Sequence, residues 1–71
     1  MTKIFKLENL DCANCAAEME RSIKTIDGVN DCTVSFMTQK MMLNADDTRF
    51  TEILALAAKA IAKVDPNCKI K

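Results

Sequence analysis

The chain has 71 residues, nearly half of them apolar, and its ten basic residues balance ten acidic ones. This length predicts a single domain that spans residues 1–71. The sequence has no basic patch that would indicate a nucleic-acid-binding protein and no acidic run that would indicate a disordered tail. No apolar stretch is long enough to span a bilayer, and the N-terminus lacks the apolar core of a signal peptide. We therefore expect a cytosolic segment whose four cysteines stay reduced.

The first part of the chain predicts a strand followed by an amphipathic helix. Residues Lys3 to Leu7 alternate between apolar and polar positions, which is typical of a strand with one buried face. From Asn14 the apolar residues recur at helical spacing, and Asp27-Gly28 ends the helix because glycine tolerates a left-handed conformation. The predicted buried stripe of this helix consists of Cys15, Ala16, Met19, Ile23 and Ile26.

The second part predicts two strands joined by a hairpin loop, a second helix and a short last strand. Asp46-Asp47-Thr48 supplies N-cap candidates for that helix, and Asp65-Pro66-Asn67 ends it. The strands are Val29 to Phe36 (with Cys32, Val34 and Phe36 on one face), Met41 to Asn44 and Cys68 to Ile70, and the helical stripe is Phe50, Ile53, Leu54, Ala57 and Ile61. The order predicts an α+β fold, the ferredoxin-like βαββαβ open-faced sandwich with an antiparallel sheet and both helices on one face.

Cys12 and Cys15 form a CxxC pair where the first strand signal gives way to the first helix. Thiolate is the form that binds metal, and we expect the N-terminus of the helix to favour an anion at Cys15. An ion of zinc size lies about 2.3 Å from each sulfur, so the sulfurs must come within roughly 4 Å of each other. Two alternatives stay open: a thiol–disulfide redox pair, and two reduced cysteines with no special role.

Asp11, directly before the pair, bears on which metal is bound. Two thiolates alone suit Cu(I), whereas a carboxylate is a harder ligand that suits a divalent ion such as Zn(II), Cd(II) or Pb(II). Two thiolates with Cu(I) carry one net negative charge, and adding Asp11 with a divalent ion leaves the same charge. The sequence therefore predicts a divalent site of Cys12, Cys15 and Asp11. The alternative is that Asp11 is a loop or N-cap carboxylate that never contacts the ion.

The whole chain resembles the heavy-metal-associated domain family, whose members occur alone as metallochaperones and at the cytosolic N-termini of metal-transporting P-type ATPases. The resemblance rests on the run from Leu10 to Ala17, on the helix through Ile26 and on Asp27-Gly28-Val29. The run is most similar to that of bacterial zinc-, cadmium- and lead-exporting ATPases. It implies that Cys12 and Cys15 are the metal ligands and that Asp11 is the carboxylate of the divalent-selective subgroup.

Copper-binding members usually carry Met where Leu10 stands, and often Lys, Tyr or Phe in the loop after the second helix. That loop contains Asp65 instead, which is a candidate for a more distant carboxylate. Of the remaining cysteines, Cys32 and Cys68 share faces with core residues and are interpreted as small buried apolar residues, with a ligand role for Cys68 as the alternative. The methionines are interpreted mainly as core residues.

The resemblance, together with Asp11, implies a domain at the cytoplasmic face of the membrane, within a Zn(II)/Cd(II)/Pb(II)-transporting P-type ATPase. Its expected partners are the transmembrane core, other cytosolic domains of the pump or a metallochaperone. The segment holds no phosphorylation motif or nucleotide loop, so we expect it to have no enzymatic activity of its own. The alternatives are a free-standing Cu(I) metallochaperone, a small oxidoreductase and a structural zinc domain. Only the last should unfold on chelation, and we expect the apo form to stay folded.

Overall fold

A computed structural model describes all 71 residues and confirms the predicted order of elements. The four strands form one antiparallel sheet in the order β2-β3-β1-β4, as the ferredoxin-like prediction requires. A short 3₁₀ turn over Asp47–Arg49 precedes the second helix. Neither helix is long and apolar enough to cross a membrane. The elements are β1 (Thr2–Glu8), α1 (Ala13–Lys24), β2 (Val29–Ser35), β3 (Lys40–Ala45), α2 (Phe50–Val64) and β4 (Lys69–Ile70).

The core lies between the two helices and one face of the sheet. Alternate residues of the strands point into it, and Phe5 lies opposite Met41 across β1 and β3. The other face of the sheet is open, and Ile4 on that face is 69% exposed. No polar or charged residue is buried. The sixteen buried residues are Leu7, Leu10, Ala16, Met19, Ile23, Cys32, Val34, Met41, Leu43, Ala45, Phe50, Ile53, Ala57, Ala60, Ile61 and Cys68.

The boundaries of α1 and β2 differ slightly from the predicted ones. Helix α1 ends at Lys24, two residues before Ile26, and Thr25 is its C-cap. The prediction that Phe36 shares the buried face of β2 was wrong. Strand β2 ends at Ser35, which pairs with Lys40, so Phe36 is the first residue of the hairpin turn and is 36% exposed. Alternation along a strand says nothing about the residue at which the turn begins.

Gly28, the only glycine of the chain, makes the turn between α1 and β2. Its φ of +96° lies in the left-handed region, which glycine adopts without steric penalty. A Cβ atom at this position would lie 2.7 Å from Cδ1 of Ile53, a fully buried side chain of α2. The backbone conformation and the close packing therefore both require glycine at position 28. This turn lies at the end of the molecule opposite the N-terminus of α1.

The outer edge of the sheet, strand β2, has carboxylate partners for two of its backbone N–H groups. The N–H of Cys32 donates to Oδ1 of Asp31 at 2.9 Å, and the N–H of Val34 donates to Oε1 of Glu20 at 2.9 Å. Glu20 belongs to α1, so this contact also fixes the helix against the sheet edge. The opposite edge is formed by β4, which has only two residues.

Candidate metal site

Cys12 and Cys15 lie together at the N-terminus of α1, in the loop that follows β1. Cys12 is the N-cap residue, with extended backbone angles, and Cys15 lies in the first turn. The sulfur of Cys12 accepts a hydrogen bond from the N–H of Cys15 at 3.2 Å, and the carbonyl of Cys12 accepts the N–H of Ala16 at 3.1 Å. Cys12 thus takes the position that Ser, Thr, Asp or Asn usually occupies at a helix start.

The two sulfurs differ in their acidity. A side-chain hydrogen bond from Cys15, followed by the backbone bond from the same residue, lowers the pKa of the Cys12 thiol. The same side-chain bond, followed by burial and by the negative charges of Cys12, Asp65 and Glu18, raises the pKa of Cys15 to about 11. We expected the helix N-terminus to favour the anion at Cys15. The structure instead favours it at Cys12, because the Cys12 sulfur accepts first from the side chain of Cys15 and then from the free N–H of that residue in the first turn.

The carboxylates near the pair are less closely placed. Asp11 is exposed, and its side chain makes no hydrogen bond or ion pair. No group of three or more His, Cys, Asp or Glu side chains is close enough to hold a metal ion together. Asp65 lies near enough for its charge to raise the pKa of Cys15, as well as that of Cys68. Burial is the largest cause of the raised Cys68 pKa, and Asp11 adds to it.

Cys68 and Cys32 are buried, as the sequence predicts. Cys68 is 2% exposed and Cys32 is fully enclosed in the core. Burial, with the charge of Glu20 next, raises the pKa of Cys32 to about 11. Both thiols therefore stay protonated near neutral pH and pack as small apolar side chains. Cys12 and Cys15 are the half-buried thiols of the chain, and the other two are covered.

Three residues outside the CxxC pair hold its loop in place. Leu10 is fully buried beneath the loop. Gln39, in the β2–β3 turn, binds the backbone of Leu10 through its side-chain amide. Asn9 has a left-handed φ of 62° and donates from Nδ2 to the carbonyl of Asn67 at 3.2 Å. Neither amide was predicted from the sequence. Asn favours left-handed turns, which is a signal for Asn9, but nothing in the pattern connects Gln39 with Leu10, 29 positions away.

A loop with two thiols that is anchored to the core by a buried side chain and partly open to solvent can bind a soft cation. It can also transfer that cation to ligands that approach from solvent. Together with the βαββαβ fold, it defines a small metal-binding domain. The heavy-metal-associated domain family matches residues 4–69, and this chain belongs to that family.

Known relatives with similar sequences are transport ATPases. The cadmium, zinc and cobalt-transporting ATPase of Bacillus subtilis (strain 168) is 30% identical over 67 residues, which cover 94% of this chain and 10% of that protein. The zinc/cadmium/lead-transporting P-type ATPase of Escherichia coli (strain K12) is 32% identical over 56 residues, or 79% of this chain and 8% of that protein. The chain thus spans about a tenth of the length of the curated relatives it matches.

Solved structures confirm the fold over the full chain. A CopZ metallochaperone superposes with a TM-score of 0.78 at 21% identity, covering 100% of both chains. The N-terminal domain of the copper(I) ATPase PacS in its apo form gives a TM-score of 0.78 at 25% identity, covering 100% of this chain and 90% of that one. Carriers and pump domains therefore share this architecture, and the fold alone does not distinguish them.

Proposed function

We propose that residues 1–71 are a cytosolic metal-binding domain of a P-type ATPase that transports Zn(II), Cd(II) or Pb(II). The domain binds one divalent ion through Cys12, Cys15 and Asp11, and then delivers the ion to the pump or regulates the pump by its occupancy. The observation that carries this proposal is the N-capping thiol of Cys12, paired with Cys15 and preceded by an exposed carboxylate. ATP hydrolysis and translocation belong to other parts of the parent protein, at whose cytoplasmic membrane face this domain works.

Asp11 is free to join the thiols because no other interaction holds its side chain. Rotating it toward the loop breaks no hydrogen bond or ion pair. With a divalent ion, its charge brings the site to one net negative charge, whereas with Cu(I) it would add a second one. Zinc-type ions also accept carboxylate oxygens at distances close to those of their nitrogen ligands. The negative charge of Asp11 and the absence of contacts that would hold its side chain therefore support a divalent metal ion as the bound species.

Release of the ion is as important as binding in a transport domain. Both sulfurs are half-buried rather than enclosed, so a donor from a partner can approach the ion before the old ligands leave. The core does not depend on the metal, because neither thiol of the pair is among its sixteen buried residues, although Cys15 packs against them. A site that contributes little to folding can be loaded and emptied without unfolding the domain. This favours transfer or sensing over a structural zinc role.

Replacing Asp11 by Asn should weaken Cd(II) and Zn(II) binding about 10-fold. This loss is smaller than the loss of one ligand from a closed zinc site, because water can occupy the coordination position that the carboxylate leaves. Cu(I) affinity should stay the same, since two thiolates satisfy that ion. Competition titrations with chromophoric chelators under anaerobic conditions measure both. The Glu18→Gln variant is the matched control, because it removes an exposed negative charge near the same thiols.

An equal loss of Cd(II) affinity in the Asp11 and Glu18 variants would show that Asp11 acts only through its charge. Unchanged Cd(II) and Zn(II) affinity in Asp11→Asn would remove this residue from the ligand set. The free-standing Cu(I) carrier, the main alternative from the sequence, predicts that second result. The Asp11→Asn variant therefore distinguishes a divalent-metal ATPase domain from a free-standing Cu(I) carrier.

Metal binding should release at least one proton near pH 7. The Cys15 thiol, with its pKa raised to about 11, is protonated there and must lose a full proton, whereas the lowered pKa of the Cys12 thiol makes it the easier of the two to deprotonate. Affinity for Cd(II) should therefore rise with pH, about tenfold per pH unit for each proton released. Calorimetry in buffers of different ionisation enthalpy gives the proton count directly. Release of less than one proton would contradict the raised Cys15 pKa.

A further inference from the structure

We infer that Gln39 is a positioning residue for the metal loop, and that it slows release of the bound ion; this inference rests on the proposed metal site at Cys12 and Cys15. Gln39 lies in the hairpin turn between β2 and β3, far from the loop in sequence. It is not among the proposed metal ligands.

The side-chain amide of Gln39 binds both backbone groups of Leu10. Its Oε1 accepts the N–H of Leu10 at 3.1 Å, and its Nε2 donates to the carbonyl of the same residue. Nε2 also donates to the carbonyl of Phe36 at 3.2 Å, which fixes the amide within its own turn. A paired donor and acceptor reproduce the contact that a neighbouring strand would make, so they fix the position and the orientation of Leu10 together.

The backbone of Gln39 adds a second connection to the same region. Its carbonyl accepts the N–H of Leu7, near the end of β1, at 2.7 Å. Gln39 makes this bond from a left-handed conformation, with a φ of 56°. The turn thus holds the chain both where it leaves the sheet, at Leu7, and within the metal loop, at Leu10.

The segment between this clamp and the helix is very short. Leu10 is held by Gln39, and Cys12 is held by the N–H groups of Cys15 and Ala16, so Asp11 is the single residue between two fixed points. The position of the Cys12 sulfur therefore depends on the amide of Gln39. Groups that orient metal ligands without touching the metal typically change affinity about 10- to 100-fold when they are removed.

The decisive variant is Gln39→Asn, which keeps the amide and tolerates the left-handed turn but is one methylene too short to reach Leu10. Two controls separate the clamp from general effects. Thr38→Ala alters an exposed side chain of the same turn, and Ile53→Val removes one core methylene beside Gly28, at the opposite end of α1. Each protein is loaded with Cd(II), and the ion is removed with excess EDTA in a stopped-flow experiment. Amide hydrogen exchange at Leu10 and the cadmium NMR chemical shift are measured alongside.

We expect Gln39→Asn to release Cd(II) about 10-fold faster, to exchange the Leu10 amide faster and to shift the cadmium resonance, while both controls behave as the wild type. Unchanged release or unchanged Leu10 exchange in Gln39→Asn would overturn the role of the clamp. Equal acceleration in Ile53→Val would overturn it too, because general stability would then explain the effect. If the wild-type protein binds no Cd(II), the proposed function itself fails. If the wild-type protein binds Cd(II) but Gln39→Asn changes neither its release nor Leu10 exchange, only the role of Gln39 fails.

Discussion

Single replacement of Cys12 or Cys15 by serine is expected to reduce Cd(II) and Zn(II) affinity by at least about 100-fold. Closed zinc sites bind with about 10–16 kcal/mol through four ligands, so one ligand contributes about 3 kcal/mol, which corresponds to about 100-fold. A hydroxyl stays protonated near neutral pH and cannot replace a thiolate. The loss of the sulfur-to-cadmium absorption band and a competition titration both report the change.

Cys12→Ser is especially informative because serine is itself a good N-cap residue. The helix start should survive, so the urea midpoint should stay close to that of the wild type while metal binding is lost. Cys32→Ala is the control, because it removes a fully buried thiol away from the loop and should leave the affinity unchanged. Retained Cd(II) affinity in Cys12→Ser would exclude the CxxC pair as the site.

Leu10→Ala should have the largest effect on stability, costing about 2–5 kcal/mol through the cavity left beneath the metal loop. Leu10 is fully buried although it lies in a loop, so its side chain is the main apolar contact that holds this segment on the core. A chain of this size has a total stability of about 4–11 kcal/mol, so the substitution removes a large part of it. Urea denaturation of the apo protein measures the loss.

Leu10→Met is the volume-conserving control and should cost less than about 1.5 kcal/mol. If the cavity is the cause, Met should restore most of the stability and Ala should not. A cost for Leu10→Ala within about 0.5 kcal/mol, the range of ordinary surface substitutions, would show that the loop is not held by this side chain. The apo measurement also separates packing from any stabilisation by bound metal.

The sequence predicted the order of elements and most of the core because the periodicities of strands and helices are local. Met19, Ile23 and Ile53 could be assigned to the core from spacing alone. Phe36 could not be placed, since whether a strand continues or turns depends on how its partner strand is paired. Ala60 was missed because alanine carries little apolar signal, although it belongs to the buried face of α2.

At the candidate site, the pair itself was predictable and its support was not. The CxxC spacing and the Asp before it are local signals, but the contact between Gln39 and Leu10 joins residues that only the folded sheet brings together. The acidity of the two thiols could not be predicted either, because it depends on the hydrogen bonds that the side chain and the N–H of Cys15 make to the Cys12 sulfur in the folded loop. Hydrogen-bond geometry at a helix end has no counterpart in residue spacing.

The carboxylates of Asp31 and Glu20 also bear on the association of copies of this protein through their sheet edges at high concentration. An unprotected sheet edge is a template on which another polypeptide can add a strand and begin an amyloid-like ladder. A strand from another chain that paired with β2 would have to displace the carboxylates of Asp31 and Glu20 from two backbone N–H groups. The other edge strand, β4, has only two residues and is too short to act as a template. We therefore expect strand addition at either edge of the sheet to be disfavoured, while the dithiol loop, at the opposite end of α1 from Gly28, stays partly exposed.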